Sequence, residues 1–534
     1  MPRDLMLMAA VLAFAAAVRT LFFTGFFGSD EVTYTDAAYR MLSGDWRADA
    51  YVGANRYGVN LPVAAFGALF GQNLVSAGLF AMLCSLAEIA LVMVFSRRWF
   101  GIKVAALAGL VLACLPMHVH LAGRLMADAP LALTMTAAFL FFWDGEQRRH
   151  AGSFAIAGLA AGASFWMKPA AMFYIGVFLL YPVLFRRWNW QWLWMALGFA
   201  LMVLANNLLF LALTGDAWFL FKAMQARSAS GYLEAGAVAG EIHDAPQYYL
   251  ELLFARLHHT GLTAYLAAAG LWAAWFASRA AAEPAAASRR TSERFIAWWL
   301  AGLILLLSLL VISWRPLLFV PKQTNYMLMF AAPLCLLAAL ALARLKGTAL
   351  AVVLVAVLSI SLLLAGMHQG LVRVFTANSK AAVAFVAAHA DATVYGPTNT
   401  VRAAEFHNLV ETHEAPLRIH PLRELFDPSL AAEAPTAMPR YAVVDMETLG
   451  WGSNEPIRQL SQAPACWVRE ERLMPRVSGA GWRLLRGMSA LAGQLQPVIG
   501  AGLASRVERL SMPAEAWVFR LPDAGCEAVP RPAP

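Results

Sequence analysis

The chain has 534 residues, of which 60% are hydrophobic and 14% charged, against about 25% charge in an ordinary soluble domain, so a wholly soluble protein is excluded. The net charge of +8 is spread as short basic pairs between apolar stretches, without a basic stripe interleaved with aromatics; this is a membrane-topology pattern and excludes a nucleic-acid partner. The apolar runs do not alternate with polar residues, which excludes a transmembrane barrel and leaves helices as the spanning elements.

Eleven spans are predicted, near residues 5–27, 73–95, 102–119, 127–143, 153–167, 169–185, 192–213, 258–278, 295–313, 326–343 and 348–367. The first follows Arg3 like a signal peptide, but it runs on into "RTLFFTGFF" without a cleavage context and reads as a true span. The run from 153 to 185 would reach ~48 Å as one helix, against a hydrocarbon core of ~30 Å. Proline ends the preceding helix and suits the first turn of the next, so two short helices should meet at Lys168-Pro169. Lys/Arg pairs in alternate short loops ("SRRWFGIK", "GEQRRH", "FRRW", "SRRTSER", "ARLKG") place the N-terminus in the cytoplasm. An odd span count then puts the tail outside, as expected of a multi-pass protein of a bacterial inner membrane.

Residues 279–294 read as an Ala/Pro/Ser/Arg-rich linker. From about residue 370 the composition becomes ordinary: "ATVYG", "RYAVVDM" and "AWVFRL" read as strands and "SKAAVAFVAAHA" as a helix. The fold class is therefore a polytopic α-helical membrane domain, residues 1–368, followed by a soluble, periplasmic α/β domain, residues 369–534. Of five cysteines, Cys84, Cys114 and Cys335 lie in or near spans as packing residues. In an oxidising compartment Cys466 and Cys526 would be candidates for a disulfide. No Cys/His spacing suggests zinc.

Asp30 and Glu31 directly follow the first span, with Tyr34 and Asp36 close behind. Two readings stand side by side: a helix cap at Ser29 or Asp30, and a general base at the membrane surface, since ionisable groups near membrane depth are functional candidates. Arg124 and Asp128, four apart where one span ends and the next begins, are either a helical ion pair or part of the same outer face. His118 and His120 nearby lack a third ligand at zinc spacing. Lys168 lies inside an apolar stretch, where an unpaired charge costs at least ~2.5 kcal/mol. Next to Pro169 it would combine an ammonium with a helix N-terminus as an anion site; the competing reading is snorkelling to the interface. Arg56 and Tyr57 in the first outer loop, and Lys322 and Tyr326 before the tenth span, are either interface anchors or additions to this cluster. Together the carboxylates and cations suit an anionic, lipid-bound substrate.

Four segments, in order, resemble motifs of the C-type membrane glycosyltransferases, in particular the family of protein O-mannosyltransferases and lipid A aminoarabinose transferases. "GSDEVTYTDAAYRML" is similar to the Asp-Glu-x-x-Tyr motif after the first span, and "GRLMADAPLALTMTAAFLFF" to the fourth span. "AGLAAGASFWMKPAAM" is similar to a Gly-rich span ending in Thr-Lys-Gly-Pro, and "PKQTNYMLMFAAPLCLLAAL" to a Lys-x-x-(Arg/His)-Tyr-x-x-x-x-x-Pro segment. The resemblance covers roughly residues 1–370. It implies transfer of a sugar from a polyprenyl-phosphate carrier to a lipid, glycan or protein acceptor by inverting displacement on the periplasmic face. Asp30 would be the base, supported by Glu31, with Asp128 a second acid. Lys168, Arg56, Arg124 and Lys322 would bind the donor phosphate, and Tyr34, Tyr57 and Tyr326 would line the cavity. No cofactor is identified, and metal dependence stays open: acidic residues could hold Mg²⁺ or Mn²⁺, with no dedicated ligand set in the sequence. The chain departs from the pattern at Val32-Thr33, Arg56-Tyr57-Gly58, Met167 and Asn325, so the reaction class carries over better than the acceptor. A transporter is the competing non-enzyme reading, against which stands a single Lys-Pro break with no counterpart in a second half. A lipid-linked polysaccharide polymerase or ligase is kept open by the long loop at residues 214–257.

Overall fold

The computed structural model describes residues 2–49, 51–226, 245–276, 284–315, 317–411, 415–426, 438–449 and 455–522. The chain divides into two compact units. The first comprises Met1–Phe23, Ala37–Gly71 and Val75–Ala365; the second comprises Thr24–Asp36, Gln72–Leu74 and Gly366–Pro534.

The first unit is helical. A helix or a broken helix pair lies under each of the eleven expected spans. Six are long and apolar enough to cross a membrane by length and composition, or seven if the bent pair Ile102–Cys114 and Pro116–Ala122, at 62°, counts as one span. The Ala/Leu-rich sequences favour helix and hold every backbone polar group inside it, as lipid demands. The Gly-rich stretch of the helix Ala151–Met167 is a packing device. A Cβ at Gly158 would overlap the backbone of Met195, and one at Gly198 would come within 2.6 Å of the Ala155 carbonyl. Small residues thus let this helix and Trp192–Thr214 approach backbone to backbone.

Three expectations are corrected. The first helix, Arg3–Leu21, stops short of residue 27. The chain beyond it bends at Gly25 (φ 71°) and Gly28 (φ 102°), positive values that glycine tolerates and other residues rarely do. The linker at 279–294 is helical from Pro284, the start of Pro284–Leu309, because proline suits a first turn and alanine the turns after it. The ninth span does not continue to residue 313: β-branched Val311 and Ile312 form β1 (Val311–Trp314), which pairs antiparallel with β2 (Leu317–Phe319). The long loop at 214–257 is described only in part, with residues 227–244 outside the described residues. Its ends carry helices Phe219–Ala226 and Tyr248–Phe254. The apolar helix Tyr57–Phe70 was not anticipated from sequence.

The second unit holds a five-stranded sheet, in the order β4-β3-β5-β7-β6. The three expected strands are β3 (Thr393–Gly396), β5 (Arg440–Asp445) and β7 (Ala516–Arg520), and the expected helix is Ala377–Ala388. β4 (Ile419–Pro421) runs parallel to β3 after the helix Thr398–Val410. β6 (Val468–Arg472) is an exposed, charged edge strand antiparallel to β7; its charges guard the open edge. β5 is buried on both faces. Tyr441 and Val443 face a cluster containing Val394, Val518, Phe26 and Val32; Ala442 and Val444 face Tyr395, Trp467 and Phe519. Cys84, Cys114 and Cys335 are buried free thiols. Cys466 is disulfide-bonded, and Cys526 lies outside the described residues.

Candidate functional site

In the first unit, three interruptions of helical backbone bring charged and aromatic groups together. Lys168 ends the helix Ala151–Met167 in extended conformation (φ −155°, ψ 112°). Asp128 opens the helix Asp128–Arg148, where an acid is favoured by the helix dipole. Asn325 and Tyr326 lie in the 3₁₀ turn Thr324–Phe330. The Lys168 ammonium is 3.2 Å from one Asp128 carboxylate oxygen, and the Asn325 side-chain amide donates to the other at 3.1 Å. Lys168 also rests 4.2 Å from the centre of the Tyr326 ring, which meets Tyr174 edge-on at 6.4 Å. Asp128 and Lys168 are only 2% and 5% exposed.

The chain breaks at Lys168-Pro169 as expected, and the helix Ala171–Tyr174 follows, continued after the helically disposed Ile175 by Gly176–Phe185. The charge facing the ammonium is the Asp128 carboxylate. Burial also rules out snorkelling, and Asp128, read beside Arg124 in the sequence, has Lys168 as a partner 40 residues away.

The remaining cations have separate settings. Lys322 is fully buried, donates to the Val320 carbonyl at 3.3 Å and lies 5.4 Å from the Phe319 ring centre. Arg124 is buried, with its guanidinium 3.9 Å from the Met126 sulfur. Arg56 caps the helix Tyr57–Phe70, its carbonyl accepting the Val59 and Asn60 amides at 2.8 and 2.9 Å. Tyr57 is fully buried, donates to the Arg47 carbonyl at 3.3 Å and packs edge-on against Phe210.

Asp30, Glu31 and Tyr34 belong to the second unit, at the start of the helix Asp30–Leu42. The two adjacent carboxylates have different tasks. One Glu31 oxygen accepts the backbone amides of Phe27, Gly28 and Ser29 at 2.6, 2.6 and 3.2 Å, and the residue is 1% exposed. It folds the preceding loop onto the helix start. Asp30 is half-buried and accepts the Tyr34 hydroxyl at 3.0 Å, one helical turn on. Glu31 thus ties down the loop before the helix, while Asp30 is the less buried of the two acids. Beside this loop, the helix Thr398–Val410 borders a cavity of about 250 Å³ lined in part by Arg402, Glu405, Arg423 and Glu455.

Sequence reasoning missed a third charged group, in the first unit. Arg19 donates to the Ser85 hydroxyl at 2.6 Å and to His118 Nδ1 at 2.7 Å. His118 Nε2 lies 3.0 Å from Glu88, and Thr136 donates to the other Glu88 oxygen at 2.9 Å. Arg19, Glu88 and His118 have no exposed surface. Arginine can only donate, so Nδ1 accepts and Nε2 carries the proton given to Glu88. The "HVH" motif was the visible signal, but Glu88 and Arg19 are 30 and 99 residues from His118.

Among the described residues no group of three or more His, Cys, Asp or Glu side chains is arranged to hold a metal ion. The acids nearest that role are bonded elsewhere, Asp128 to Lys168 and Asn325 and Glu31 to backbone amides.

The fold is thus a set of helices interrupted at buried charges, with a small α/β unit at the C-terminal end of the chain. Residues 59–210 match the family described as dolichyl-phosphate-mannose-protein mannosyltransferase. The fold is similar to that of ArnT from Cupriavidus metallidurans in the apo state, at 19% identity and TM-score 0.56, covering 89% of this chain and 96% of that one. The same protein bound to undecaprenyl phosphate gives 19% identity and TM-score 0.55, covering 89% and 97%. The Archaeoglobus fulgidus oligosaccharyltransferase in complex with Zn and sulfate is similar at 14% identity and TM-score 0.50, over 82% of this chain and 68% of that one. No curated protein matches the chain by sequence.

Proposed function

We propose that this chain is a glycosyltransferase that moves a sugar from a polyprenyl-phosphate carrier to a hydroxyl- or amine-bearing lipid, glycan or protein acceptor. In this reading it works on the periplasmic face of a bacterial inner membrane, with residues 1–368 as the transferase domain and 369–534 as a periplasmic domain. The acceptor heteroatom attacks the anomeric carbon, the bond from that carbon to the phosphate oxygen breaks, and the configuration inverts. The acceptor proton passes to Asp30, and the polyprenyl phosphate leaves with the bonding pair.

The observation that carries the reading is the division of labour between the two adjacent acids. Glu31 is occupied by three amides, while Asp30 is the more open, with the Tyr34 hydroxyl on one oxygen. A base must reach the proton that it takes, and Asp30 is built for that where Glu31 is not. On the donor side, Lys168 is the leading phosphate ligand, with Arg56, Arg124 and Lys322 as further cations. Asp128 orients the Lys168 ammonium, and Tyr326 and Tyr57 supply aromatic walls. Positioned cations stabilise the charge that develops on the departing phosphate. The undecaprenyl phosphate bound to the structurally similar ArnT supports this donor class.

The test is turnover of synthetic undecaprenyl-phosphate-linked monosaccharides by wild type and Asp30→Asn, followed as release of undecaprenyl phosphate. The expected loss is about 10²- to 10⁴-fold, the range for removal of a general base. Near-normal turnover in the folded variant would remove Asp30 from this role. The orientation is tested with Glu470→Cys, on the exposed strand β6: a membrane-impermeant thiol reagent should label it in intact spheroplasts, and protection would place the tail on the other side.

A further inference from the structure

The loop before Asp30 is gripped from two sides, and all of the groups involved lie in the second unit. From within, Glu31 takes the amides of Phe27, Gly28 and Ser29. From outside, the tail helix Thr398–Val410 takes the carbonyls: the Asn399 side-chain amide donates to Phe27 at 2.8 Å and Arg402 donates to Ser29 at 2.9 Å. The Ser379 hydroxyl donates to the Asn399 carbonyl oxygen at 2.9 Å, so the amide nitrogen is the end turned to the loop. Gly28, at φ 102°, passes so close that a Cβ there would overlap the Asn399 amide. The flanking rings anchor the same segment, Phe26 against Phe406 at 5.4 Å and Phe27 stacked on Phe375 at 5.0 Å.

Apolar packing alone would hold this loop in place without setting the direction of its peptide planes. The two polar bonds do set it. The Ser29 carbonyl belongs to the peptide unit that joins Ser29 to Asp30, so Arg402 grips the plane from which the Asp30 side chain departs. We propose that Asn399 and Arg402 are positioning residues for the Asp30 carboxylate, through which the tail domain controls the chemical step. The proposal rests on the reading of Asp30 as the base. Because a misplacement of about 1 Å at a reacting group can cost ~10²-fold in rate, the grip matters for kcat more than for donor binding.

The experiment uses the full chain in detergent with four variants: Arg402→Ala, Arg402→Lys, Asn399→Asp and Asp30→Asn. Asn399→Asp keeps an acceptor for Ser379 but replaces the donor to Phe27 by a carboxylate oxygen, which turns the grip on that carbonyl into a repulsion. Two readouts are taken: hydrogen exchange of the peptide spanning residues 24–36, and kcat and KM for the undecaprenyl-phosphate-linked monosaccharide panel. Arg402→Ala and Asn399→Asp should speed exchange in that peptide about tenfold, with β5 and β7 unchanged as evidence that the tail stays folded. Each should lower kcat about 10- to 100-fold with KM for the donor within twofold, and Arg402→Lys should recover most of the loss. Unchanged exchange in residues 24–36 would overturn the proposal whatever the kinetics. If kcat stays within twofold in both variants while Asp30→Asn is inactive, the base assignment stands and the positioning role is wrong. If Asp30→Asn turns over normally, both fall together.

Discussion

Two of the charged clusters buried in the first unit are built differently. Arg19, Glu88 and His118 are joined across four helices, with Thr136 and Ser85 completing the hydrogen bonds. Glu88 and Thr136 sit well inside long, regular helices, Leu74–Phe100 and Asp128–Arg148. Asp128 and Lys168 instead meet where one helix starts, another ends and a 3₁₀ turn passes. Irregular backbone at membrane depth is tolerated where it is buried in protein or lines a cavity. A charge in a regular helix can serve as an internal brace; a charge at a break lies where a substrate can be met. The contrast matches the proposal of donor binding at the second cluster and suggests bracing as the expectation for the first.

The sharpest way to break this contrast is Lys168→Ala. Loss of a cation at the leaving phosphate should reduce turnover about 10²- to 10³-fold per folded molecule, and mass spectrometry should find less polyprenyl phosphate copurifying with the variant. Equal lipid and equal turnover would make Lys168 a brace like the other cluster. Glu88→Ala is the mirror experiment. It removes the acceptor of His118 Nε2–H and of the Thr136 hydroxyl and takes the counter-charge out of the buried cluster that holds Arg19, so it should cost about 3–5 kcal/mol of stability, read as a lowered Tm, with turnover per folded molecule within about twofold of wild type. A specific loss of turnover at unchanged Tm would give the brace a chemical role. Thr136→Val removes a single hydrogen bond to Glu88 and should cost about 1–2 kcal/mol, again in Tm and not in turnover.

A smaller effect tests how the tail differs from both. Asp445, buried at the end of β5, accepts the Asn378 amide at 2.6 Å and the Thr448 hydroxyl at 2.6 Å. Burial raises its carboxyl above the ordinary aspartate value even against these bonds. A raised folded value means that the native tail binds the proton more tightly than the unfolded chain. This stabilising contribution is present below the unfolded value of about 4 and is lost as pH rises through the folded value. The Tm of wild type minus that of Asp445→Asn should therefore fall as pH is raised from about 4 to 7, and a flat difference would show that burial does not govern this group.

The candidate site was partly legible in the sequence. Lys168-Pro169 announced a broken helix, because proline cannot continue one, and Asp30-Glu31 stood out directly after an apolar span. Two partners of Asp128 were not visible in the sequence: the structure supplies Lys168 from 40 residues away and Asn325 from 197. Asn325, a departure from the family pattern, turned out to bond the acid. Asn399 and Arg402 carried no signal, since "TNTVRAAEF" reads as an ordinary surface helix.

The sequence by itself determined the membrane class, the eleven helical regions, the break at Lys168 and the small α/β tail. The helical properties depend on hydrophobic length and on backbone hydrogen bonds closed within each segment, and the strands of the tail on the short apolar pattern of each run, all of which are local. Only the tertiary structure decided which buried charges face one another, and that the loop bearing Asp30 is gripped by residues from the far end of the chain. Such pairings join groups up to 373 residues apart, and a buried charge takes whichever partner the packing brings within hydrogen-bond reach.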